Sequence, residues 1–84
     1  EPYFEETEHK FCALMEDYLS HQGISQELFK IEIANLPLYG YGIKGYILSM
    51  IEAAMNISNN TIPVVVIEKI IQYGKELLEK PNML

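Results

Sequence analysis

A chain of 84 residues has room for one domain and one modest core, because a domain this small buries only about 60–65% of its unfolded surface. Twelve acidic residues stand against six lysines and no arginine, a net charge of −6. That balance excludes a phosphate-backbone reader and an anionic-membrane binder, both of which need a basic face. Cys12 is the lone cysteine, so no internal disulfide and no zinc-sharing thiol pair exist. This usage fits the reducing cytoplasm. The longest apolar run, Ile62 to Ile67, is far short of the roughly 18–20 residues that span a bilayer. The chain opens at Glu1 without methionine and runs to Leu84 without a charged tail. It reads as one segment of a longer polypeptide.

The prolines at 2, 37, 63 and 81 punctuate the sequence as helix boundaries would. Phe4, Phe11, Leu14, Met15, Tyr18 and Leu19 recur at three- and four-residue intervals. They predict a helix over about 3–20, with Gly23 as its left-handed C-cap. Ser25 is placed to cap a second helix, striped by Leu28, Phe29, Ile31, Ile33 and Leu36 and stopped by Pro37. A third helix over 43–57 buries Ile43, Ile47, Met50, Ile51, Ala54 and Met55. Ser58 to Thr61 form a polar turn whose last members can cap the next element. A fourth helix over 63–79 carries Ile67, Ile70, Ile71, Gly74, Leu77 and Leu78. The expected core is Phe11, Leu14, Met15, Tyr18, Ile47, Ile51, Ile67, Ile70, Ile71 and Leu78. Short connections make the expected fold an all-α antiparallel four-helix bundle, one domain over 1–84.

Between the second and third helices lies Tyr39-Gly40-Tyr41-Gly42-Ile43-Lys44-Gly45-Tyr46, with three of the five glycines and three of the six tyrosines. Alternating glycines let a backbone turn and approach a ligand closely. Tyrosines add rigid surfaces with polar tips, and Lys44 adds a mobile cation. The segment reads as a recognition loop. Catalytic chemistry is thin elsewhere. His9 and Glu5 share a helical face, but no third metal ligand suggests itself. No serine has a nucleophile-elbow setting, and there is neither a Walker loop nor a dinucleotide fingerprint. The expected site has no catalytic and no metal-binding residue.

Three features together resemble the helical cap of a haloacid dehalogenase superfamily hydrolase. They are Glu1-Pro2-Tyr3-Phe4 opening a long helix, Leu36 to Lys44 before the third helix, and Gly74-Lys75-Glu76-Leu77-Leu78 closing the fourth. The resemblance implies insertion into a Rossmann-like core of the same polypeptide. The Asp-x-Asp-x-Thr nucleophile motif would precede Glu1, and the core would hold the magnesium. The cap would act as a substrate-selecting lid, most simply for a phosphatase of a small phosphorylated metabolite. The family's catalytic residues have no counterpart here. Its specificity loop maps onto Tyr39, Tyr41, Gly42, Lys44 and Tyr46 as substrate-binding residues. Relatives that grip a second anionic group with arginine have no match in this chain, which leaves the substrate open. The alternative is a free-standing helical module that binds a partner protein through the tyrosine-rich loop.

Overall fold

The computed structural model describes residues 2–80. Four helices follow in chain order: α1 (Pro2–Leu14), α2 (His21–Tyr39), α3 (Ile43–Ile57) and α4 (Val64–Glu79). Each packs on its neighbour in sequence, and α4 closes back on α1. Cross-helix pairs fix the directions. The Lys80 ammonium stands 5.3 Å from the Tyr3 ring centre, while Lys10 pairs with Glu76 at 3.3 Å. So α1 and α4 run antiparallel. Asn35 donates to Ser49 Oγ at 3.1 Å, and four residues further along α2 Tyr39 lies against Gly45, where a Cβ would stand 2.9 Å from Tyr39 Cβ, so α2 and α3 are antiparallel in turn. The fold is an all-α antiparallel four-helix bundle, and no strand occurs among the described residues.

The first helical boundary differs from the sequence reading. α1 ends at Leu14 rather than near residue 20, and α2 begins at His21 rather than after Ser25. The cause is local. Ser20 takes an extended backbone and its hydroxyl accepts from the Gly23 N–H at 3.1 Å, so Ser20 is the N-cap. Gly23 is therefore inside the first turn of α2 and not a C-cap. A Cβ there would lie 2.8 Å from Leu19 Cγ, so glycine lets Leu19 fold across the new helix start.

Pro37 does not stop α2. It sits in the last turn, and the helix ends two residues later at Tyr39, capped by the Gly40 N–H on the Leu36 carbonyl at 2.8 Å. A proline this late removes one backbone bond without breaking the helix. The polar turn after α3 is present, with Asn59 and Asn60 both left-handed (φ 57° and 63°), a conformation asparagine tolerates. Its side chains do not cap α4, whose N-cap is Pro63.

Phe11, Met15, Ile24, Leu28, Met50, Ile70 and Leu77 are wholly buried. Of the expected core, Phe11, Met15 and Ile70 are buried, while Leu14, Ile47, Ile51 and Ile67 pack partly against it. Tyr18, Ile71 and Leu78 are exposed instead. Tyr18 falls in the α1–α2 connection. Ile71 and Leu78 lie one position round α4 from the stripe of Ile70, Gly74 and Leu77 that faces inward. Phe29 and Ile33 on α2 and Met55 on α3 are also exposed; α2 buries Ile24, Leu28 and Ile31 instead. α3 turns Tyr46, Ser49, Met50, Ala53 and Ala54 inward.

Candidate functional site

The loop between α2 and α3 is three residues long, because α2 runs on to Tyr39. Gly40 (φ 72°) and Gly42 (φ 134°) both occupy backbone regions that side chains disfavour. Gly45 serves a different purpose. A Cβ on it would lie 2.9 Å from Tyr39 Cβ, so its bareness lets the start of α3 press against the end of α2.

These turns open a cleft of about 330 Å³, lined by Phe4, Glu32, Asn35, Leu36, Tyr39, Gly40, Tyr41, Gly42, Gly45, Tyr46 and Ser49. Of the five residues picked from sequence, Tyr39, Tyr41, Gly42 and Tyr46 line it. Lys44 lies in an adjoining groove with Tyr39, Tyr41, Gly42, Ile43, Gly45 and Leu78. Tyr41 is 91% exposed on the rim. Tyr46 is inside the bundle rather than on the loop surface. It is 7% exposed and takes the Phe4 ring edge-on at 5.2 Å. Its hydroxyl is buried without a hydrogen-bond partner among the described residues. Burial, followed by the charges of Glu8, Glu32 and Cys12, drives its phenol far above the ordinary range.

The polar floor was not legible in the sequence. Asn35 on α2 is held by Ser49 at 3.1 Å and Glu52 at 3.4 Å, both on α3. Glu32 is half-buried. Its carboxyl is pushed above the usual range by burial first and by Glu8 second. It makes no ion pair among the described residues. In sequence Glu32 is one acidic residue between two isoleucines, and Phe4 one member of a core stripe. Only packing puts them in a common wall.

A second groove holds Glu5, Glu8, His9, Cys12, His21, Gln22 and Ser25. Among the described residues no three His, Cys, Asp or Glu side chains are placed to hold a metal ion. The magnesium implied by the resemblance has no ligand set there. Cys12 is buried, its thiol raised by desolvation and partly offset by the Ser25 hydroxyl at 3.6 Å. No helix among the described residues is long and apolar enough to cross a membrane.

No protein-family model matches the chain, and no curated protein matches it. Among solved structures, the chain is similar to a haloacid dehalogenase-like family hydrolase from Xanthomonas campestris, with 35% identity and a TM-score of 0.86. The likeness covers 95% of this chain and 33% of that one. This chain thus spans about a third of the hydrolase's length. The four-helix bundle therefore has a fold related to that of a haloacid dehalogenase-like hydrolase.

Proposed function

We propose that this chain is the substrate-selecting lid of a magnesium-dependent haloacid dehalogenase-like phosphatase, working in the cytoplasm on a small phosphorylated metabolite. The observation that carries the reading is where the loop lies. Phe4 from the start of α1 walls the cleft, and Leu78 from the last turns of α4 shares a groove with Tyr41 and Lys44. The recognition loop thus meets both described ends of the bundle. A lid attached to a core through its two ends would carry its substrate contacts there. Glu1 and Leu84, which a lid would carry at one end of the bundle, lie outside the described residues.

Lys44 supports the same reading. A cation in the first turn of a helix works against the helix dipole, so α3 gains nothing from it. The N-cap Gly42 offers no side chain to the first N–H groups of α3, and such groups favour anions. Lys44 and these donors would steer and hold an anionic group while the closed lid excludes water. The core would supply the nucleophile and the magnesium.

The test uses the polypeptide that joins this chain to its core, assayed with magnesium against a panel of phosphomonoesters. A charge-assisted hydrogen bond contributes about 1.5–3 kcal/mol, so Lys44→Ala should lower kcat/KM by about 10- to 150-fold. Unchanged kinetics across the panel would remove Lys44 from the site. Turnover by the 84-residue chain alone, tracking the protein through purification, would overturn the lid reading. A start codon or unrelated domain just upstream of Glu1, in place of Asp-x-Asp-x-Thr, would favour the interaction module.

A further inference from the structure

The cleft is chemically one-sided. Phe4, Tyr39, Tyr41 and Tyr46 make its walls, and no lysine or histidine lines it among the described residues. Glu32 brings a half-buried carboxylate with no counter-charge among the described residues. The amide nitrogen of Asn35 is already committed to Ser49 and Glu52, which leaves its carbonyl oxygen as an acceptor. Tyr46, 7% exposed, adds a hydroxyl with no partner among the described residues. Aromatic faces attract cations, most strongly where water is excluded. A carboxylate in the same wall adds a full negative charge. At the Glu32 wall, away from the N-terminus of α3, an anionic group would meet repulsion and a neutral one would leave Glu32 uncompensated. A cation satisfies both the rings and the carboxylate.

We propose that this cleft binds an organic ammonium group, with Glu32 opposite the charge and the rings of Phe4, Tyr39 and Tyr46 around the adjoining carbons. A volume near 330 Å³ is at the small end of ligand sites and suits a short amine. Lys44 lies outside, in the adjoining groove. A molecule bearing an ammonium at one end and an anion at the other would therefore fit across the two, cation inward. Reading that molecule as the substrate, a phosphorylated amine, rests on the lid function proposed above. The ammonium site itself does not.

The experiment is a titration of the ¹⁵N-labelled chain at constant ionic strength, followed by amide shifts. The probes are choline, ethanolamine and 3,3-dimethyl-1-butanol, the uncharged isostere of choline. At least one of the two amines should give saturable shifts at Gly40, Gly42, Gly45 and Tyr46, with Kd in the millimolar range. The isostere should bind at least about tenfold more weakly, the loss of one charge interaction. Glu32→Gln should weaken the amine by about the same factor. Tyr41→Ala, on a ring 91% exposed, should leave the fold intact and test the rim separately; a loss below about twofold is expected, because an exposed ring contributes little. Equal shifts with the isostere, or unchanged affinity in a folded Glu32→Gln chain, would overturn the ammonium site. So would a fully linear response to both amines. The two proposals fail differently. Amine binding by a chain whose parent enzyme shows no preference for phosphorylated amines would leave the site standing and remove it from the substrate reading. A Lys44 effect on turnover without amine binding would do the reverse.

Discussion

Tyr46 and Glu32 are the two residues whose surroundings conflict most with their chemistry. The Tyr46 hydroxyl is buried with no partner among the described residues, and an unsatisfied buried group of this kind costs about 1–3 kcal/mol. Tyr46→Phe should therefore raise the urea midpoint, by an amount equivalent to about 1 kcal/mol. A clear loss of stability would mean that the hydroxyl finds Glu32 or Glu8 in solution. Glu32 carries a pH signature. Burial, with Glu8 second, raises its folded pKa above the usual glutamate value of 4.5. The folded state then holds the proton more tightly than the unfolded chain does. Its stabilising effect is complete below the usual value and lost as pH rises through the raised one. Glu32→Gln, which mimics the protonated form, should melt higher than the parent at pH 8. That advantage should fade toward pH 4, and a constant difference across the range would refute the burial argument.

At the scale of elements, one close approach and one cap carry the architecture. Gly74 on α4 faces Ile47 on α3, and a Cβ on Gly74 would lie 2.4 Å from Ile47 Cγ1. Overpacking of this kind costs about 1–3 kcal/mol. Gly74→Ala should destabilise by that order despite the better helix propensity of alanine. Ile47→Ala should relieve much of the added cost in a double-mutant cycle. Simple additivity would show that α3 and α4 separate freely. The position of Gly74 on an apolar stripe was legible from its spacing. The Ser20 cap was not. Ser20 and Ser25 both precede helical patterns, and the choice turns on the Gly23 N–H reaching Ser20. Ser20→Ala should cost about 1 kcal/mol in urea unfolding, whereas Ser25→Ala should leave the start of α2 in place. Equal costs would return the boundary to Ser25.

For the whole molecule, the four helices share one core, so thermal unfolding should be a single transition. Circular dichroism and tyrosine fluorescence should report the same midpoint. Separate midpoints would mean that the α1–α4 contact opens independently. The Lys10–Glu76 pair that bridges this contact is 42% exposed on both sides and contributes at most about 1 kcal/mol. Apolar burial therefore holds α1 on α4. By itself the sequence determined the helix count and the places of the glycine–tyrosine turn and of the polar turn after α3, because periodicity and turn chemistry act over a few residues. It also picked out four of the eleven residues that line the cleft, Tyr39, Tyr41, Gly42 and Tyr46. Only the tertiary structure decided which face of each stripe turned inward, since Ile70 and Ile71, or Leu77 and Leu78, are equally apolar and differ by one step of rotation. It alone placed Phe4 and Glu32 beside Tyr46, from which they lie 42 and 14 positions away along the chain. Their meeting depends on how three helices pack, and no local pattern encodes that.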